Sequence, residues 1–144
     1  MVMGLKLYVN IDGGSRGNPG RAASAMVIAD EAGRVLATKS KYLGDGLTSN
    51  YAEWSALAGA VKALIYLTGQ YGAIEAEVRS DSELVVRQFR REWKMKAADL
   101  SEIAQVIWGD LANNRELSIK LLHVPREENR LADAAVNREL DRQG

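Results

Sequence analysis

The sequence predicts an α/β domain, a partly parallel sheet with helices on both faces. Segments of strand period and helix period follow one another as three strands, helix, strand, two helices, strand, helix, the pattern that covers a sheet on both sides. The 144 residues, 47% hydrophobic and 26% charged, are enough for one core and too few for a second full domain, because a chain of this size buries roughly 68–70% of its unfolded surface. With only two prolines and no internal repeat, nothing in the composition marks a linker, and residues 1–144 read as a single domain.

Each element has its own signal. Leu5, Leu7, Val9 and Ile11 alternate with Lys6, Tyr8, Asn10 and Asp12, a strand with one buried face that Asp12 closes on the polar side. The run Gly13-Gly14-Ser15-Arg16-Gly17-Asn18-Pro19-Gly20 reads as a loop. Ala22 to Ala29 and Val35 to Leu43 flank Asp30-Glu31-Ala32-Gly33 as a hairpin, so the first three strands form a meander. Thr48-Ser49-Asn50 offers N-caps for a helix with Trp54, Leu57, Val61 and Leu64 at helical spacing; alanines on its other faces predict burial almost all round. Ile74, Ala76 and Val78 form a strand entering Ser80-Asp81-Ser82-Glu83, a capping-box pattern that opens a helix to about Trp93. Leu100, Ile103, Ile107 and Leu111 mark a helix within Ala97 to Asn113. Leu117 to Val124 is the final strand, stopped by Pro125, and Asn129 caps a last helix containing Leu131, Ala135, Val136 and Leu140.

Several function classes are excluded at once. Without cysteine there are no disulfides, thiolate metal sites or cysteine nucleophiles, so the chemistry rests on oxygen and nitrogen groups. The longest apolar stretch, Ala56 to Leu67, is cut by Lys62 and falls short of the ~20 residues a membrane span needs. The run from Met1 to Val9 alternates too early for a signal peptide, and a soluble, cytoplasmic protein is expected. Nineteen basic and nineteen acidic residues cancel, so no global field draws the chain to nucleic acid. Locally, Arg87, Arg90, Arg91, Lys94 and Lys96 stand against the single acid Glu92, with Phe89 and Trp93 interleaved; this is either a solvated helix face or a nucleic-acid contact.

Four acids fall at places where chemistry collects. Asp12 and Asp81 stand at the ends of two strands, where ligands gather in open α/β sheets. Each also has a structural reading, Asp12 as a turn former before glycine and Asp81 as a first-turn acid on a helix dipole. Glu53 lies three residues after Asn50 and fits a capping box, yet its helix carries few other charges. Asp133 sits one turn into the last helix among Leu131, Ala132, Ala134, Ala135 and Val136, where Asp has poor propensity. Four carboxylates at one spot would repel one another unless a cation neutralised them, and an all-oxygen donor set suits Mg²⁺ or Mn²⁺ rather than Zn²⁺.

Four segments in order carry a resemblance: Tyr8-Val-Asn-Ile-Asp12-Gly-Gly-Ser-Arg-Gly-Asn-Pro-Gly20, Thr48-Ser-Asn-Tyr-Ala-Glu53, Arg79-Ser-Asp81-Ser, and His123-Val-Pro-Arg-Glu-Glu-Asn-Arg-Leu-Ala-Asp133. From first strand to last helix the chain resembles type 1 ribonuclease H. The resemblance implies a three-layer fold with a five-stranded mixed sheet, and Mg²⁺-dependent hydrolysis of the RNA strand of RNA/DNA hybrids, with Mn²⁺ as a substitute ion. It assigns Asp12, Glu53, Asp81 and Asp133 to the metals. A two-metal mechanism follows, with ions ~3.5–4 Å apart activating a water and stabilising the departing 3′ oxygen, and products ending in 5′-phosphate and 3′-hydroxyl.

The resemblance also implies substrate contacts. Gly13, Gly14 and Ser15 expose a backbone that can approach ribose 2′-hydroxyls. Asn18 and Asn50 match positions that reach the minor groove, and Thr48 a position that contacts a DNA phosphate. Ser49 stands where an asparagine is common in the family, and the basic run Arg87 to Lys96 where many members carry a longer basic handle. His123 lies ten residues before Asp133, the spacing of a catalytic loop histidine, but His123-Val124-Pro125 also resembles the end of the last strand. The second match means a shortened loop without that histidine, with His123 as a packing residue and Arg126 beside the acids. The functions in contention are a hybrid-specific endoribonuclease with some activity on double-stranded RNA, a non-catalytic hybrid-binding module, and another two-metal nuclease. A monomer is expected, since one face suffices to read a duplex.

Overall fold

The computed structural model describes residues 4–144; of the Met1 to Val9 run, the first three residues lie outside the described residues. Its elements are β1 (Leu5–Gly17), β2 (Gly20–Ala29), β3 (Val35–Leu47), α1 (Ser49–Tyr71), β4 (Ile74–Ser80), α2 (Glu83–Phe89), α3 (Ala98–Asn113), β5 (Leu117–His123), a 3₁₀ turn (Arg126–Glu128) and α4 (Arg130–Arg142). The five strands form one mixed sheet in the order β3-β2-β1-β4-β5. β1, β2 and β3 pair antiparallel, and β1, β4 and β5 parallel, the helical crossovers supplying the long connections that parallel pairing needs. Among the described residues no helix is long and apolar enough to cross a membrane.

The two faces are covered unequally. On one, Leu7, Val9, Ile11, Ala76 and Val78 pack against Trp54, Leu57, Val61 and Leu64 of α1, Val85 and Val86 of α2, and Leu100 and Ile107 of α3. Each such large side chain contributes about 1.5–3 kcal/mol on burial, so this side dominates stability. On the other face α4 offers Ala135, Val136 and Leu140 to Ala23 and Ala25, a much smaller apolar contact. Polar ties supplement it: Arg16 pairs with Asp141 at 2.6 Å, and Ser40 Oγ donates to Glu139 at 3.0 Å.

Several local expectations are corrected. The glycine-rich run 13–20 is not a loop: β1 continues to Gly17, pairing Gly13 with Ser24 and Gly14 with Ala23, so Asp12 stands inside a long hairpin arm and starts no turn. α1 is not buried all round, since Lys62, Tyr66 and Gln70 face solvent. Its N-cap is Thr48, whose Oγ1 accepts the Tyr51 N–H at 3.1 Å, which frees Glu53 from a capping role. α2 stops at Phe89 instead of Trp93, the chain turning off at Arg91 with φ 63°. Its cap is Ser82, not Ser80, with Ser82 Oγ accepting the Val85 N–H.

Candidate active site

The cleft forms where β1 and β4 part. Their pairing ends at Asn10 and Arg79, while β1 runs on beside β2. Asp12 lies just past that fork, and only 5% of it is exposed. α1 meets β1 here because position 13 is glycine: a Cβ there would come within 2.2 Å of the Ala52 carbonyl carbon and 2.4 Å of the Glu53 nitrogen. No other residue lets the first turn of α1 lie on the strand, and that approach carries Glu53 to Asp12. Asp81 follows the last residue of β4. It is held between Ser80, whose Oγ accepts the Ser82 N–H and whose carbonyl accepts the Val124 N–H, and the α2 cap.

One carboxylate oxygen from each of Asp12, Glu53 and Asp81 lies within 4.8 Å of the others. Asp133, half-buried in the first turn of α4, lines the same cleft of about 270 Å³ with Gly13, Gly14, Ser15, Ser49 and Arg126, although it lies outside the tight group of three. Burial pushes the Asp12 carboxyl up to about 7, with the charges of Asp81 and Asp133 adding to the rise and hydrogen bonding from Glu53 and the Gly13 N–H opposing it. Burial, then the charge of Asp12, holds Glu53 well above the usual carboxylate range. Its Oε2 is buried without a hydrogen-bond partner among the described residues. An orphaned acceptor beside two further carboxylates fits a divalent cation, which would satisfy the lone pair and cancel the repulsion together.

Ser15 and Ser49 share a hydroxyl hydrogen bond of 3.0 Å. Asn18 Oδ1 accepts the Ser49 N–H, leaving its amide N–H groups to donate outward. Thr48, spent as an acceptor on its cap, keeps its hydroxyl proton, and Asn50 is exposed at the cleft rim. His123 is the last residue of β5, paired with Ser80, so it belongs to the strand end. It is not packed, however: it is exposed and shares the cleft wall with Asn50, Glu53, Asp81 and Arg126. Only Val124 to Asn129 separate β5 from α4.

Asn129 departs furthest from the role its position predicts. It makes no side-chain cap. It is 1% exposed, its Nδ2 donates to the Ile11 carbonyl at 2.8 Å, and its Oδ1 accepts from Asn10 Nδ2 at 2.9 Å. Its own carbonyl accepts the Asp133 N–H. One side chain therefore ties the strand of Asp12 to the helix of Asp133. The sequence shows this only as an asparagine four residues before an acid, a pattern that caps satisfy equally well. Asn129→Ala is expected to cost about 1–3 kcal/mol, through the Ile11 carbonyl left unpaired, and to raise the Mg²⁺ concentration needed for half-maximal activity. Denaturant melts and Mg²⁺ titrations of activity check both.

The basic run is less free than its composition implies. Arg87 pairs with Glu83 and Glu92 and lies over Trp93; Arg91 lies over Trp108; Arg90 Nη2 donates to the Leu121 carbonyl. Lys94 and Lys96 form no ion pair among the described residues. Gln88 secures this segment by accepting from buried Trp54 Nε1 and donating to the Lys94 carbonyl.

A family profile described as reverse transcriptase-like matches residues 10–139. Ribonuclease HI of Halobacterium salinarum is 35% identical over 138 residues, which span 96% of this chain and 66% of that protein. A bifunctional protein of Mycobacterium tuberculosis is 35% identical over 138 residues, 95% of this chain but 36% of its own length. The chain thus spans just under two thirds of the first relative and about a third of the second. Among solved structures, LC11-RNase H1 in complex with RNA/DNA hybrid matches with a TM-score of 0.88 at 37% identity, covering 95% of this chain and 98% of that one. In sequence and in fold, the chain belongs to the type 1 ribonuclease H family of enzymes.

Proposed function

We propose that the chain acts as a monomeric, single-domain endoribonuclease that cuts the RNA strand of RNA/DNA hybrids with Mg²⁺, or Mn²⁺ in its place. Asp12, Glu53, Asp81 and Asp133 hold the ions. The observation that carries this reading is the partnerless Glu53 Oε2, buried against Asp12 and Asp81. The hybrid as substrate rests on the similarity to LC11-RNase H1, whose structure contains one. Divalent cations bound there supply Lewis acidity for in-line attack of water and for the departing 3′ oxygen, leaving 5′-phosphate and 3′-hydroxyl ends.

The chain's own groups select and orient the substrate. Gly14 and Ser15 present a narrow strand edge to the ribose 2′-hydroxyls, while Asn18 and Asn50 donate into the minor groove. The Thr48 hydroxyl donates to a phosphate of the DNA strand. Recognition through 2′-hydroxyls and groove shape admits double-stranded RNA as a weaker substrate and excludes double-stranded DNA. Incubation of labelled hybrid, double-stranded RNA and double-stranded DNA with Mg²⁺ tests this: hybrid cut fastest and DNA uncut is expected, whereas hybrid bound and never cut would show a binding module.

His123 and Arg126 share the wall beside Asp81. A proton carrier contributes 10²–10⁴-fold, whereas an exposed strand-end histidine contributes far less. His123→Ala is expected to lower kcat less than about tenfold, and Arg126→Ala at least as much, because a guanidinium there stabilises phosphate charge. Turnover at saturating hybrid decides it, with folding checked by circular dichroism. A hundredfold loss for His123→Ala alone would make that histidine catalytic.

A further inference from the structure

Away from the acid cluster, β2, β3 and α1 enclose a groove of about 420 Å³ whose charged lining is Lys39, Lys41 and Lys62. No acid lines it, and none of the three ammonium groups forms an ion pair among the described residues; every side-chain ion pair there uses arginine. Three unpaired like charges lining one groove, two on β3 and one on α1, repel one another, in a chain whose net charge is zero. Lys39 and Lys41, two residues apart on one strand face, stand about 6.8 Å from each other, comparable to the step between successive phosphates of a nucleic-acid strand.

Their position relative to the acids is set by register. Lys41 pairs with Ser24, and Ser24 with Gly13, so Lys41 stands two strands from the residue beside Asp12, about 10 Å across the sheet. The first turns of α1 lie between them. Glu53 looks to the Asp12–Asp81 side, whereas Tyr51, Ser55 and Lys62 line the groove on the β3 side. A duplex with its cleaved strand over the acids would straddle the N-terminus of α1 and bring its other strand down on the β3 flank.

From this juxtaposition we infer that Lys39, Lys41 and Lys62 form a binding track for the phosphate backbone of the DNA strand, continuing past Thr48; the inference rests on the hybrid being the substrate. The track supplies affinity without touching the reacting atoms. It also complements the Arg87 to Lys96 run, where three of the five cations are held by partners inside the fold.

The test replaces all three lysines, Lys39→Gln, Lys41→Gln and Lys62→Gln, and compares this variant with the parent and with a triple Lys→Arg variant. With hybrid in Mg²⁺, the glutamine variant is expected to keep kcat within about twofold and raise KM roughly tenfold at ~0.1 M salt. The slope of log KM against log salt should fall by about 2–3, near one per phosphate contact, while the arginine variant keeps the parent's slope. A hybrid whose DNA strand carries neutral methylphosphonate linkages should bind parent and glutamine variant alike. Unchanged slope would overturn the track and leave the lysines as edge-strand protection against aggregation. So would equal kcat losses in the glutamine and arginine variants. Fluorescence anisotropy of uncut hybrid in EDTA repeats the comparison without catalysis. Failure of the parent to cut hybrid thus refutes the proposed reaction, and equal affinities of parent and variant refute the track.

Discussion

Asp12→Asn is expected to abolish cleavage, by about 10³-fold or more, roughly 4 kcal/mol of barrier, while the fold and most hybrid affinity persist. The amide keeps the size of the side chain and loses one negative charge of the cluster, in which a carboxylate oxygen of Asp12 lies within 4.8 Å of one from Glu53 and one from Asp81. Neither a divalent cation nor the water it would activate is then held in place. The loss should appear in kcat, because the proposed substrate contacts of Thr48, Asn18 and Asn50 are made by other side chains and stay intact. Single-turnover rates at saturating hybrid, with circular dichroism as the folding control, measure it. Near-parental turnover at saturating Mg²⁺ would refute the assignment.

The same substitution should act on stability in the opposite direction. In the metal-free protein Asp12 titrates at about 7, against 3.8 when unfolded, so the folded chain binds more protons between those values. Stability is therefore full below the unfolded pKa and declines as pH rises toward 7, by roughly 2–3 kcal/mol from pH 5 to pH 8, an order-of-magnitude figure. Glu53 acts in the same direction. Asp12→Asn removes the Asp12 part of this slope, so at pH 8 in EDTA the variant should melt higher than the parent, by about 10 °C. Mg²⁺ should raise the parent's melting temperature more at pH 8 than at pH 5, where protons compete for the same oxygens. Calorimetry across that range reads both effects. A parent melting equally at both pH values in EDTA, once corrected by the Asn variant, would show that the carboxyls are not buried together.

How far the sequence foretold the structure differs by element. Period-2 and helical patterns located the five strands and four helices found among the described residues, because burial on one face writes itself into the chain at fixed intervals. They failed where backbone pairing, not side-chain burial, decides. Glycines 13, 14 and 17 carry no pattern, so the arm of β1 beyond Asp12 read as a loop, although its pairing with β2 holds it as strand. The end of α2 was missed because Arg91 adopts a positive φ that no glycine or proline announces. At the site, the four acids stood out by their positions; a strand end at Asp81 and a helix start before Glu53 were legible, whereas Asp12 stands inside β1, just past the end of its pairing with β4. What stayed hidden was tertiary: Gly13 as the contact that admits α1, and Asn129 as a tie between β1 and α4. Neither can be read without knowing which elements touch.

The proposed reaction at this acid cluster cuts RNA and spares DNA within one duplex. It is tested most directly with a hybrid labelled at either the RNA or the DNA strand, incubated in Mg²⁺ and in EDTA, with the ends of the products identified. Internal cuts in the RNA strand alone, dependent on Mg²⁺ and leaving 5′-phosphates and 3′-hydroxyls, are the expected result. Cuts in the DNA strand, or RNA cleavage that persists in EDTA, would contradict it.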